Sequence, residues 1–353
     1  MSELTNLLEL DQDELTTLFK TWDEPKFRAQ QVWEWLYDNC VGSFDEMTNL
    51  PKPLREKLAE HSTIGTLQLE TEQVSRDGTV KRLYKLPDGQ LIESVLMPYD
   101  DDRRTACIST QAGCAMGCVF CATGQMGYAR HLTSTEIFEQ ALNFAQLLSA
   151  EGERLSNVVL MGMGEPFHNY DASVHAVRRL MDDLGIGARH ITISTVGLVP
   201  QIRRFADEGL QVKLAISLHA ATNEERSALL PVNKRWDLEE LINACKYYVE
   251  QTNRRITFEW ALIHGSTDTP EQAHALGKLL QGMRNCHVNA IPLNPTQGYT
   301  GGPSDLDTTT EFISILKRYG VSMTVRVRRG IDIDAGCGQL KSKVTTISPE
   351  EIG

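Results

Sequence analysis

A chain of 353 residues has room for about two domains. With 41% hydrophobic and 23% charged residues and no run near the roughly 18 apolar residues of a membrane span, the composition is that expected of a soluble globular protein. A net charge of −12 argues against a simple polyanion binder, and the acidic start MSELTNLLELDQDELTTLF lacks the basic region of a secretory leader. The expected location is therefore the cytoplasm, with no membrane partner. There, eight cysteines serve as metal ligands, catalytic thiols or buried small hydrophobes more readily than as a disulfide framework.

The first 60 residues carry 6 Lys/Arg against 13 Asp/Glu, so most of the acidity sits there. Helical spacing of apolar residues in DQDELTTLFKTW and FRAQQVWEWLYDNC, and in PKPLREKLAEH after a proline, predicts three short helices. Residues 1–62 are expected to form a small helical domain with an aromatic core of Trp22, Trp33, Trp35 and Tyr37. Residues 63–104 alternate polar and apolar positions around Asp-Gly turns at 77–78 and 88–89, which predicts an antiparallel hairpin connector.

From residue 105 to 345, strand-like runs (TACIST, SNVVLMG, HITIST, VKLAISL, ITFEWALI, HVNAIPL, SMTVRV) alternate with helical segments at 133–150, 170–184, 198–208, 237–251, 270–283 and 307–319. Strands separated by such helices form parallel βα units with right-handed crossovers. Six or seven units in this length suit a full or partial barrel. Polar and glycine-rich residues gather where the strands end: GMGEP at 162–166, STVG at 194–197, SLH at 217–219, and Asn294-Pro295. In βα barrels those ends build the ligand site.

The densest chemistry is Cys114, Cys118 and Cys121, a C-x3-C-x2-C cluster on a glycine-containing loop after the first of these strands. Three thiolates leave an iron–sulfur centre one ligand short and thus open to a small chelator. Zinc, with Cys107 as a fourth ligand, or buried free thiols are the alternatives. Cys337 stands alone between Gly336 and Gly338. Basic groups at Arg103-Arg104, Lys234-Arg235, Arg254-Arg255 and in VRVRRG leave nucleic-acid binding open. Cys40, Cys245 and Cys286 match no motif and are expected to be structural.

This cysteine spacing, with the aromatic Phe120 before its last member, resembles the radical S-adenosylmethionine (SAM) superfamily. The segments PKFRAQQVWEWLY, IESVLMP, CISTQAGCAMGCVFCATGQMG, LMGMGEPFHNYD, ITISTVGLVP, LAISLHA, IPLNP and RGIDIDAGCGQL, in that order, are similar to the RlmN/Cfr family, adenine-carbon methyltransferases of RNA. The resemblance implies an α/β fold: a partial (β/α)6-type radical SAM barrel behind the helical domain. It implies a 4Fe-4S cluster on Cys114, Cys118 and Cys121. SAM, two per turnover, would be lined by Gly164, Glu165, Ser194, Ser217, Leu218, His219 and Asn294.

It further implies that Cys337 carries a methyl group, that a radical drawn from SAM activates this methyl for addition to adenine, and that protein and RNA are then transiently joined. Glu93 would be the proton acceptor, and Cys107 would resolve the crosslink through a disulfide that must be reduced. The implied partners are 23S rRNA, tRNA and an electron donor such as flavodoxin or ferredoxin, with a monomer as the working state. Carbon 2 of adenosine is favoured over carbon 8. Radical chemistry on a small molecule or peptide, and a non-enzymatic iron–sulfur RNA-binding protein, are the readings from other classes.

Overall fold

The computed structural model describes residues 4–296 and 298–341; the final residues of the 105–345 range, 342–345, lie outside the described residues. Three helices open the chain: α1 (Gln12–Thr21), α2 (Lys26–Tyr37) and α3 (Lys52–His61). Asp11 and Glu14 close a capping box on α1, while Pro25 and Pro51 set the starts of α2 and α3. Their core is mainly aliphatic: Leu15, Val32, Leu36, Leu54 and Leu58 with Phe19 and Tyr37. Trp22, Trp33 and Trp35 are only half-buried around it. The expected aromatic core is thus corrected, because large indoles on short amphipathic helices reach the rim of the buried stripe.

Ten strands then form one sheet: β1 (Gln68–Val74), β2 (Val80–Lys85), β3 (Leu91–Pro98), β4 (Arg104–Cys107), β5 (Asn157–Leu160), β6 (Ile191–Thr195), β7 (Lys213–Ser217), β8 (Ile256–Leu262), β9 (Cys286–Pro292) and β10 (Met323–Val325). Their spatial order is their chain order. From β4 to β10 every neighbouring pair is parallel. Each strand is laid beside the last in the same direction, so right-handed crossovers put all the helices on one face and leave the other as an interior. A doubly wound sheet would reverse its order part-way. Among the described residues β4 and β10 do not pair, and the barrel stays partial.

The crossovers are α4 (Ala122–Met126) with α5 (Ser134–Ala150), α6 (Tyr170–Asp182), α7 (Val199–Asp207), α8 (Asn223–Leu229) with α9 (Leu238–Thr252), α10 (Pro270–Leu280) and α11 (Leu306–Arg318). Helices α4 and α8 are too short to show the helical period and were not expected. The antiparallel strands β1–β3 continue the barrel sheet. A turn closed by Tyr99 N–H donating to Arg103 O at 2.9 Å folds β3 back onto β4 and covers its free edge.

The chain ahead of β1 is tied to the barrel by partly buried polar contacts. Arg179 donates to Leu8 O at 2.7 Å and to the Tyr37 hydroxyl at 3.0 Å, and Glu139 on α5 accepts from Thr66 N and Leu67 N. Burial raises the Glu139 carboxyl to about 7 against these two N–H groups. A folded-state value above the unfolded 4.5 means that its favourable contribution is complete below pH 4.5 and is lost as pH rises through 7. The variant E139Q should therefore match wild type in stability near pH 4.5 and exceed it by roughly 2–3 kcal/mol at pH 8. Chemical denaturation at both pH values measures this; equal stabilities at pH 8 would refute it.

Candidate active site

Side chains alternate across a strand, so every second residue of β4–β10 faces the barrel interior. Those residues are Thr105 and Cys107 on β4, Val159 and Met161 at β5, Ser194 and Val196 at β6, and Ser217 and His219 at β7. They continue with Glu259 and Ala261 on β8, Asn289 and Ile291 on β9, and Thr324 and Arg326 at β10. They line one cavity of about 620 Å³. Cys114, Cys118 and Cys121 line it from the loop after β4, Gly164 and Glu165 from the loop after β5, and Asn294 and Cys337 from the loops beyond β9 and β10.

Of the residues singled out in the sequence, Glu93 and Leu218 do not line the cavity. The Leu218 side chain faces the packed core because its neighbours Ser217 and His219 face inward. Glu93, on β3, is buried in an ion pair with Lys81 at 3.3 Å and accepts from Lys341 N at 2.8 Å. Burial raises its carboxyl, opposed by the Lys81 charge and the Lys341 bond. It clasps the segment that follows Cys337.

The GMGEP turn is built by close approach. Gly164 has φ +100°, and a Cβ there would lie 2.6 Å from Gln111 Cβ. Gln111 Oε1 accepts from Glu165 N at 2.8 Å. The buried Glu165 carboxylate accepts from Phe167 N at 2.9 Å and from Val196 N at 2.8 Å, which pins the ends of β5 and β6 together. Desolvation raises it to about 7 despite those donors. His219 is buried at φ +58°; Nδ1 accepts from Ala261 N at 2.9 Å, so the ring proton sits on Nε2. Burial and the Arg226 charge lower it to about 3, and it stays neutral. Phe120 packs edge-on against it at 4.9 Å.

The cysteine loop and the Cys337 loop touch through backbone, Ala122 N donating to Gly338 O at 2.8 Å, and the Asn294 side chain donates from Nδ2 to Cys337 O at 3.1 Å. A Cβ at Gly336 would lie 2.6 Å from Asn294 Nδ2, so a larger residue there would have to displace that side chain. Cys337 is exposed to the cavity, and Arg326 Nη1 reaches its Sγ at 3.4 Å. Cys107 is buried; burial first, then the Cys337 charge, push its thiol up to about 12, while Arg326 acts in the opposite direction. All eight cysteines are free thiols, so no Cys107–Cys337 disulfide exists in this state.

A family model described as "Ribosomal RNA large subunit methyltransferase N-terminal domain" matches residues 5–64, and the radical SAM superfamily model matches residues 108–276. The chain is 54% identical over 342 residues to a Myxococcus xanthus protein named dual-specificity RNA methyltransferase RlmN 1, covering 96% of this chain and 95% of that one. It is 49% identical over 350 residues to a probable dual-specificity RNA methyltransferase RlmN of Chloroflexus aurantiacus, covering 96% and 93%. The chain belongs to the RlmN family of radical SAM enzymes. The crystal structure of a radical SAM methyltransferase from Sphaerobacter thermophilus superposes with a TM-score of 0.90 at 46% identity, covering 96% of this chain and 99% of that one. The fold is thus the radical SAM barrel, and the chain is a radical SAM methyltransferase whose cofactors are a 4Fe-4S cluster and SAM.

The residues present fit these groups. Among the described residues no three His, Cys, Asp or Glu side chains converge as they would around a single metal ion. An iron–sulfur cube, in which each iron takes one thiolate, asks only that three thiols line one wall. Buried Asn294 Oδ1 has no hydrogen-bond partner among the described residues, and its residue lines the same cavity. Burial raises the Cys114 thiol to about 12 and holds the Cys118 thiol well above its ordinary value, so bound iron would have to draw off their protons.

Residues that sequence reasoning missed complete this RlmN-family site. Arg226 of α8 is fully buried; Nε donates to Leu218 O at 3.2 Å and Nη2 to Val196 O at 2.6 Å and Ser217 O at 3.3 Å. It closes the carbonyl ends of β6 and β7 behind the cavity. In the sequence it is one charge in NEERS, with nothing to distinguish it from surface. Gly164 offers a direct test of the cradle. The variant G164A, strained at φ +100° and driven against Gln111, should weaken SAM binding by at least about tenfold while α1–α3 stay intact. Equilibrium dialysis with labelled SAM measures this, and unchanged affinity would show that the turn does not hold SAM.

Proposed function

We propose that this chain methylates carbon 2 of adenosine in 23S rRNA and tRNA, with Cys337 as methyl carrier, Cys107 as resolving thiol and Glu93 as proton acceptor. The relatives' names and the arrangement of thiols support this reading. The observation that carries it is a single cavity lined by three clustered cysteines on one loop and by two further thiols, Cys107 and Cys337, that belong to no cluster motif. When bound, the cluster would supply the electron that splits SAM into methionine and a carbon radical.

Each protein group then has a task set by its position. Cys114, Cys118 and Cys121 hold the cluster; Gly164, Glu165, Ser194, Ser217, His219 and Asn294 surround SAM, with Leu218 acting through its backbone. The glycine-flanked loop brings the Cys337 sulfur to the cavity, where reacting atoms must sit near van der Waals contact. Barrel walls and Phe120 keep water from a reactive carbon. Glu93 serves as acceptor once Lys341 releases it; until then its carboxylate is occupied.

The units of this reading are an accessory domain at 1–62, a connector at 63–104 and the barrel with the cysteine loop at 105–345, of which 342–345 lie outside the described residues. A flavodoxin- or ferredoxin-type donor, a monomeric state and a cytoplasmic location complete the proposal. No helix among the described residues is long and apolar enough to cross a membrane. Anaerobic reconstitution, incubation with ribosomal and transfer RNA, and mass spectrometry of the nucleosides test it. The product 2-methyladenosine is expected; 8-methyladenosine would overturn the position, and no methylated adenosine would overturn the function.

A further inference from the structure

Two charged groups of opposite sign face this cavity without meeting. Glu259 on β8 is 4% exposed; Oε2 accepts from Asn289 Nδ2 at 2.9 Å, its register neighbour on β9, and Oε1 takes no hydrogen bond among the described residues. Arg326, leaving β10, directs Nη1 at Cys337 Sγ (3.4 Å) and Nη2 at Met161 Sδ (3.8 Å), two weak sulfur acceptors. It forms no ion pair among the described residues. A buried carboxylate and a half-buried guanidinium in one cavity would normally close on each other, since the carboxylate is costly alone. Kept apart, they leave a place for a planar group that donates to the carboxylate and accepts from the guanidinium.

The geometry points to Glu259 and Arg326 gripping the target adenine, Glu259 at the 6-amino group and Arg326 at N1, so that C2 faces Cys337. The assignment rests on the methylation of adenosine proposed above and adds how the base is read. Adenine carries an amino donor beside a ring-nitrogen acceptor, the complement of this pair. The carbon bonded to the nitrogen held by Arg326 is brought towards Cys337, because Arg326 already touches that sulfur. With N1 in that place the carbon is C2; with N7 it would be C8. Neither Glu259 nor Arg326 belongs to the cluster or SAM cradle described above.

The test uses reconstituted holoenzyme and a short RNA substrate hairpin. Competitor hairpins carry purine riboside (no amino group), 1-deazaadenosine (no N1) or 7-deazaadenosine (no N7) at the target position. Purine riboside and 1-deazaadenosine should each compete about tenfold to a hundredfold more weakly than adenosine, and 7-deazaadenosine within about threefold. The variant E259Q should erase the penalty for purine riboside, and R326K should reduce the penalty for 1-deazaadenosine. Both should keep reductive SAM cleavage, which shows that the cavity is intact.

Equal competition by all three analogues would overturn the assignment, and selective loss with 7-deazaadenosine would replace N1 by N7 and overturn it as stated. Variants that weaken every hairpin alike would reduce the pair to structural groups. Wild type that methylates the parent hairpin while ignoring the analogues' differences sinks only this inference. Wild type that methylates no hairpin sinks the proposed function with it.

Discussion

Replacing Cys337 with alanine should abolish RNA methylation, by at least about a thousandfold, and leave cluster loading and SAM affinity within about twofold of wild type. The local structure makes this a clean deletion of sulfur. The loop is held by Asn294 Nδ2 on Cys337 O, by Ala122 N on Gly338 O and by Gly336 N on Gln339 Oε1 at 3.1 Å, and none of these involves the thiol. Alanine keeps all three. Only the weak approach of Arg326 Nη1 at 3.4 Å depends on the sulfur, so stability should change by no more than about 0.5 kcal/mol. Methyl incorporation into RNA, with SAM cleavage under reduction as control, measures the effect. Methylation at the wild-type rate would mean that the carbon passes to RNA without a protein carrier.

The cysteine chemistry was legible because it is contiguous: Cys114, Cys118 and Cys121 lie within eight residues and need no fold to be seen together. Strand ends were legible too, since glycine and polar residues mark where each apolar run stops. What stayed hidden is whatever register assembles. Glu259 and Asn289 sit thirty residues apart and meet only because β8 and β9 pair position for position. Arg226 reads as surface charge until the carbonyls of β6 and β7 are seen to converge on it. Glu93 is the converse case. Its segment was recognised, but the alternation of β2 and β3 that delivers Lys81 to it, and the return of Lys341, are tertiary facts. The tryptophans of α1–α3 misled for a simpler reason, because residue type does not say how deep an amphipathic helix sits.

Replacing Cys107 with alanine should convert a catalyst into a trap. If Cys337 hands its carbon to adenine, the enzyme is left bonded to RNA through that carbon. Release requires a thiolate to attack the Cys337 sulfur: an S–S bond forms, the C–S bond breaks, and the electron pair stays with the carbon, which takes a proton to become the methyl group. Cys107 is the one unassigned thiol, besides Cys337, among the cavity-lining residues. The C107A variant should therefore stop at no more than one RNA per enzyme and accumulate a ribonuclease-sensitive band shifted upward on a denaturing gel. In wild type the same crosslink should decay faster as pH rises, because burial raises the Cys107 thiol and the thiolate fraction grows roughly tenfold per pH unit below its pKa. Arg326, the cation that opposes this shift, should make decay slower still when replaced by glutamine. Multiple turnover by C107A with no shifted band would remove both the resolving thiol and the crosslink from the reaction.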